Sequence, residues 1–456
     1  MASTKIRKRD TGESGNKGEF GTITRTDADV QIQSPQIGLG ATIGEDVEIA
    51  PTARIDDEVT IGDDVRIGEN VVIGSDSVIE RGAVIEDGVV IGAGSHLWED
   101  ATVRAGSTLG ESVTVEGGAQ LQDMVAVGDR STICQETTIG ARSNVRSDVT
   151  IGNYVRTGSD VTIDQDVNVG DSTEIDERTA LRHSVTVGEQ CIIGQSAEIS
   201  ADSSLGDGCE VGDRARVHGA FGDQARIGEG ARVIGRSSWG RHVRIGDGAT
   251  IDTSDRCRFG DDTDIGDNAE ISRISIDGSL SVGEGAEVDG GRRTVDFTGG
   301  ASIGPGARVT GAVTLEDGVE VGEETLVEGT PRPKSPETDH VATKLGGDCV
   351  VYERAVVKEG SQLGAGTTIG SSSTVGKRVV TGNDSRIGDN ATVGDFSIVA
   401  GSISDGSTVG NGVEVGYGAD LGERAVVEDN AVIEGYARVE DDGFVSRGTV
   451  VRESAH

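Results

Sequence analysis

Isoleucine, leucine or valine returns at every sixth residue from Ile37 to Val217, in thirty of thirty-one positions, with Thr157 the exception. Four residues after each of the first thirty, the side chain is small: Ala41, Val47, Ala53, Val59 and so on to Ala215. The residue after the aliphatic is most often glycine, as in Ile43-Gly44, Ile61-Gly62 and Ile73-Gly74. A helical pattern would drift out of phase within two turns, and a plain strand alternates without skipping by six. A strict six-residue period over this length predicts a solenoid of short strands, a parallel β-helix in an all-β chain.

Each hexapeptide then supplies one strand and one corner. The aliphatic side chain points inward, and so does the small one four places on, close to the bend. Glycine is expected to give the bend its backbone freedom. Three faces make a triangular coil of 18 residues, and coils stack at roughly 4.8 Å, the spacing of hydrogen-bonded strands. Equivalent side chains form ladders along the axis.

Past Val217 the period calls for an aliphatic at 223, which is Asp223; the pattern resumes at Ile227, Val233, Trp239, Ile245 and Ile251, a phase change of four. Further slips fall around Cys257–Phe259 and between Ile271 and Val282, and the Gly/Arg-rich stretch 290–300 reads as a bulged coil or short loop. Order returns from Ile303 to Val327. Residues 330–344 hold three of the six prolines. Leu345 stands 18 residues after Val327, so this insert is expected to replace about one coil, as a protruding loop or a hinge. The chain divides into a polar leader, 1–36, disordered or folded as an N-terminal cap with Ile23, Val30 and Ile32 over the first rung; a regular array, 37–222; an irregular continuation, 223–329; the Pro-rich loop or hinge, 330–344; and a second array, 345–456. The expected whole is more than twenty coils in two segments.

The run from Ile49 to Gly68, with Ile55, Ile61 and Ile67 in step, resembles the hexapeptide-repeat superfamily of acyltransferases, γ-class carbonic anhydrases and nucleotide-sugar enzymes. That resemblance implies a left-handed parallel β-helix, an exception to the usual right-handed crossover. It also implies, for an enzyme, a histidine base and an acyl-CoA donor. The stretch from Ile276 to Gly290, with Gly306–Leu315 beyond the bulge, is similar to bactofilins, which are polymer-forming β-helical cytoskeletal proteins.

Charge changes the picture next. The net charge is −38, from 79 acidic against 41 basic residues. Only seven of the basic residues are lysine, and none lies between residues 18 and 333. Such a surface suits a salt-in halophile, because at molar salt the Debye length is roughly 3 Å. It makes nucleic acid and anionic lipid poor partners. No segment has the length and apolarity of a membrane span, and the polar N-terminus lacks an apolar signal core, so the expected compartment is the cytoplasm. The five cysteines form no CxxC pair and no Cys/His cluster, so no metal site is expected. Cys191 and Cys209 are 18 apart, which stacks them in adjacent coils as small buried thiols.

Candidate chemistry rests on six histidines. No two are five apart, which excludes the H-x4-H zinc element that the resemblance to γ-class carbonic anhydrases would require. His340 is the candidate general base of a transferase, because it lies in the one long insert with Asp339 before it. His96, His183, His218 and His242 fall at outward or corner positions, and none has an evident orienting partner in the sequence. Acidic corners such as Gly62-Asp63-Asp64 and Gly260-Asp261-Asp262 read as solvated surface. Two functions remain. The first is a structural rod that assembles with copies of itself or scaffolds partners and needs no cofactor. The second is an acyl- or acetyltransferase on a sugar or sugar nucleotide, using acetyl-CoA or another acyl donor. The coil count favours the rod, since a trimeric catalytic groove needs far fewer coils.

Overall fold

A computed structural model describes residues 34–253, 257–290, 295–330 and 341–453, together with the backbone of two short strands, Lys5–Arg7 and Phe20–Thr22. Those two strands pair antiparallel. From Gln36 onward, almost every strand pairs in parallel with the equivalent strand one coil before and one coil after. The result is a left-handed parallel β-helix of about 22 turns, with no helix among the described residues. At about 4.8 Å per coil, that is a rod roughly 105 Å long.

The six-residue period maps directly onto this geometry. Thr60–Ile61 is a two-residue strand, Gly62 follows it, Asp63 and Asp64 make the turn, and Val65 leads into Arg66–Ile67. Ile61, Val65 and Ile67 are buried, while Thr60 and Arg66 face solvent. Three faces result, named here by their first inward residues, Ile37, Ile43 and Ile49. The core is a single column of aliphatic side chains from Ala53 to Val445. Thr157, the one break in the aliphatic register, is buried and keeps its hydroxyl satisfied by accepting from the Gly140 N–H at 2.9 Å.

Glycine has two roles: at corners such as Gly82 (φ 71°) and Gly88 (φ 69°) it supplies the expected backbone freedom, and directly after the aliphatic it serves a different need. The left-handed backbone conformation falls mostly three places after the aliphatic, and 39 non-glycine residues among those described adopt it, among them Asp64 (φ 59°) and Asn70 (φ 56°). Short Asx side chains tolerate that region best. The glycine directly after the aliphatic serves a steric need instead. A Cβ on Gly62 would lie 2.8 Å from the backbone nitrogen of Arg81, in the following coil.

The phase change after Val217 is a shortened corner. Arg216–Phe221 runs as one extended strand, and Phe221 pairs with Leu205, sixteen residues earlier. Three aromatic rings fill the core there. Phe221 stacks on Trp239 at 5.3 Å and Trp239 on Phe259 at 3.7 Å, all three buried and with nearly parallel ring planes.

The Pro-rich insert lengthens one coil rather than replacing one. Leu345 pairs with Leu315, thirty residues back, and Val357 pairs with Val327. The ladders on the three faces therefore carry on past the insert. Residues 331–340 themselves, with His340, lie outside the described residues, as do Ile23, Val30 and Ile32 of the proposed cap.

Candidate functional site

Stacking at a fixed interval brings together side chains that are distant in the sequence, and this gives the histidines partners that sequence neighbours do not. His242 sits at a corner three places after Trp239, and Asp262 occupies the equivalent corner after Phe259. His242 Nδ1 lies 3.3 Å from Asp262 Oδ1. His96 Nε2 lies 2.8 Å from Glu80, and the His96 ring stacks on Trp98 at 4.6 Å. His183 has Ser184 at 3.1 Å and Asp166 at 3.7 Å. The expectation that no histidine has an orienting partner is thus corrected for His96, hydrogen-bonded to Glu80, while His183 and His242 have a carboxylate close by without a hydrogen bond to it. The signal that could have found these pairs is the coil interval itself: Asp262 is twenty residues after His242 because that coil is two residues longer than the norm.

The His242–Asp262 pair opens onto an elongated groove of about 670 Å³. Arg226, Arg244 and Asp264 line it from the neighbouring Ile49 face. The carboxylate near Nδ1 makes His242 the general-base candidate of this groove, although the two are not hydrogen-bonded to each other. The two guanidinium groups offer planar donors to a phosphate or carboxylate. The groove is open, and the His242 side chain is 55% exposed. His218 lies in a smaller surface groove beside Asp202, Arg236 and Arg258, where Arg236 is paired to Asp202 at 3.1 Å.

The cysteines are free thiols. Cys191 donates through Sγ to the Gly206 carbonyl at 3.2 Å, and Cys209 to the Gly222 carbonyl at 3.3 Å. Ser77 and Ser95 make the same bond to Gly92 and Gly110 at equivalent places, so cysteine here is a small polar core residue. Burial pushes the half-exposed Cys134 thiol up to about 11. Among the described residues, no group of three or more His, Cys, Asp or Glu side chains is arranged to hold a metal ion. No described helix is long and apolar enough to cross a membrane.

These features define a hexapeptide-repeat, left-handed parallel β-helix. A family model described as the GMPPB C-terminal domain matches residues 31–132, less than a quarter of the chain. A search of curated proteins finds no matching sequence. Among solved structures, the chain is similar to the UDP-N-acetylglucosamine O-acyltransferase of Moraxella catarrhalis, at 15% identity over 41% of this chain and 65% of that one, TM-score 0.18. It therefore spans slightly less than two thirds of that enzyme. It is also similar to the Arabidopsis UDP-N-acetylglucosamine acyltransferase, at 17% identity over 51% of this chain and 69% of that one, TM-score 0.21. A putative acetyltransferase of Desulfovibrio desulfuricans is similar at 12% identity over 57% of this chain and 65% of that one, TM-score 0.17.

Proposed function

We propose that this protein is a rigid structural rod that assembles with copies of itself or scaffolds partners in a salt-rich cytoplasm. The observation that carries the reading is continuity. The strand ladders persist through the shortened corner at Val217–Phe221, the aromatic stack and the Pro-rich insert, so about 22 turns behave as one stack. A solenoid whose repeats contact only their neighbours gains stiffness and reach with every coil. A catalytic groove gains nothing from the added coils. Negative-stain microscopy of purified protein in molar potassium chloride tests this. Filaments or bundled rods are expected; compact discrete particles overturn it.

The second reading is acyl transfer, and one arrangement favours it: the His242–Asp262 pair facing a groove with Arg226 and Arg244. There His242 would take the proton from a sugar hydroxyl or amine while the arginines hold an anionic part of the substrate or of an acyl-CoA donor. His340 stays a second candidate for the same role. Turnover of acetyl-CoA on amino sugars by wild type, lost in His242→Ala and kept in His340→Ala, would establish the enzyme reading at this groove.

A further inference from the structure

One strip of the rod stays free of charge for longer than its equivalents on the other two faces, where uncharged runs are shorter (Val72 to Ala180 on the Ile37 face, Val84 to Thr138 on the Ile49 face). On the Ile43 face, twelve successive outward positions from Thr42 to Ser238 line up through the strand pairings, and none holds an acidic residue, a lysine or an arginine. Six are threonine: Thr42, Thr60, Thr114, Thr132, Thr150 and Thr186. All twelve are exposed or half-exposed. The equivalent positions of the Ile49 face hold Glu48, Arg66, Arg156, Glu174, Glu210 and Arg226, and those of the Ile37 face include Arg54, Glu198 and Arg216. In a chain of net charge −38, a neutral strip of this length needs a reason.

The strip is flat as well as neutral. Gly44, Gly62, Gly152, Gly170 and Gly188 lie beside the threonines and put no side chain above them. Where the glycines stop, Trp98 stands 44% exposed, stacked on His96. Glu80 and Glu116 flank it at the edge of the strip, and Glu80 is tied to His96 at 2.8 Å. An exposed tryptophan in the middle of a neutral face is the kind of residue that anchors interfaces.

We propose that the Ile43 face, from Thr42 to Ser238, is a lateral interface on which two copies of this chain pair side by side. The inference rests on the self-assembly reading and deepens it by naming the surface. Two arguments select a second copy. The first is charge: two strongly acidic rods can come into contact without setting like charges against each other only along a neutral strip, since like-charge juxtaposition across an interface is costly. The second is repeat. A row of uncharged side chains recurring every coil, half of them threonine, is matched along its whole length only by a partner with the same axial spacing, which is another such solenoid. The dimensions agree with this. Twelve coils at about 4.8 Å by about four extended residues give roughly 700 Å² on each partner. A standard stable interface buries about 800 Å² a side.

The test is light scattering and sedimentation of the full chain in molar potassium chloride, with a matched pair of variants. Thr114→Glu/Thr150→Glu puts two carboxylates on the strip. Thr102→Glu/Thr138→Glu makes the same change at outward positions of the Ile49 face. Circular dichroism confirms that both keep the β spectrum, which solvent-facing substitutions on the rod are expected to leave intact. Lateral pairing in wild type and in the Ile49-face variant, weakened at least about tenfold in the Ile43-face variant, is the expected result. Assemblies unchanged by Thr114→Glu/Thr150→Glu overturn the assignment of the face while leaving self-assembly standing. A wild type that is monomeric throughout overturns both. A monomeric wild type that is retained on insoluble polysaccharide through this strip gives the face to a carbohydrate and overturns the pairing.

Discussion

Asp63 accepts the backbone N–H of Glu45 through Oδ1 at 2.7 Å, across the gap between two coils. The Glu45 carbonyl is already taken by the Asp64 N–H at 2.9 Å, so the aspartate completes the hydrogen bonding of that corner. Asp87 does the same for Glu69, Asp129 for Glu111 and Asp429 for Asn411, each bond between 2.7 and 2.9 Å. The acidic corners are therefore part of the backbone hydrogen-bond system, which corrects their reading as mere solvated surface. Asp261 likewise accepts from the Arg241 N–H at 2.8 Å. A charged acceptor on a backbone N–H is among the stronger hydrogen bonds. Asp63→Ala is expected to cost about 1–2 kcal/mol and to speed amide exchange at Glu45, measured by urea unfolding and hydrogen exchange. Asp63→Asn keeps an acceptor in place and should stay close to wild type. Equal loss in both variants would show that the side-chain oxygen does not hold the corner.

Trp239 sits between Phe221 and Phe259 in the core, with ring separations of 5.3 and 3.7 Å. Its large ring occupies a ladder place that smaller aliphatics take elsewhere. Trp239→Ala removes contacts on both faces of the ring and is expected to cost about 3–5 kcal/mol. Fluorescence reads this cleanly, because the only other tryptophan is the exposed Trp98. Trp98→Phe should leave a blue-shifted spectrum from Trp239, and Trp239→Ala a red-shifted one from Trp98. A red-shifted spectrum in Trp98→Phe would remove Trp239 from the core.

The coil itself was legible in the sequence because its cause is local. One inward aliphatic and one inward small residue per six positions is what a triangular cross-section demands, and Ile61, Val65 and Ile67 are buried as that rule requires. Slips in register were legible too, since Asp223 cannot occupy an aliphatic place. The length of the insert coil was misread because an 18-residue spacing from Val327 to Leu345 fits both a replaced coil and an extra excursion; only the pairing of Leu345 with Leu315 separates them. Glycine's backbone freedom was legible at corners such as Gly82 and Gly88, but the sequence does not distinguish a positive φ from a close backbone approach, which is what the glycine after the aliphatic answers, as at Gly62. The histidine partners were missed for a related reason. Glu80 and Asp262 come from neighbouring coils, and for Asp262 the pairing depends also on a coil two residues longer than the norm.

Arg130 and Asp148 occupy equivalent corners one coil apart and form a bidentate pair, Nε to Oδ1 and Nη2 to Oδ2, both at 2.7 Å. The Arg130 guanidinium holds the Asp148 carboxyl below the ordinary aspartate range through this hydrogen bonding, against a small opposing effect of burial. A carboxylate whose folded pKa is depressed stabilises the fold above its unfolded pKa, near 4, and that contribution is lost as pH falls through the folded value. Arg130 is exposed and Asp148 half-buried at the surface, so solvent screening leaves the effect in the titration rather than in a large stability change. In Arg130→Ala, carbon NMR of labelled aspartate should show Asp148 titrating at higher pH, back in the ordinary range. An unchanged midpoint would mean that the pair does not persist in solution.

Asp213, Glu229, Asp247, Asp267 and Glu284 stack at one corner of successive coils, each two places after an inward aliphatic. Neighbouring carboxylates about 4.8 Å apart repel by roughly 0.9 kcal/mol in water, before salt acts. Arg214 pairs with Glu229, which relieves part of that repulsion. At molar salt the Debye length is roughly 3 Å and most of what remains is screened; in dilute buffer, at roughly 30 Å, it is not. The chain is therefore expected to lose β structure on dilution from molar potassium chloride, and this corner localises the cause. Asp247 cannot simply be deleted, because its Oδ1 accepts the Glu229 N–H at 2.7 Å. Asn411 shows the neutral solution at an equivalent place, accepting the Asp395 N–H at 2.8 Å. Asp247→Asn keeps the acceptor and removes the central charge of the stack. Its melting temperature should match wild type in molar salt and exceed it in dilute buffer, so that the salt dependence becomes shallower. A variant whose salt dependence equals that of wild type would place the need for salt elsewhere, and a wild type that melts identically at both salt levels would end the halophilic reading.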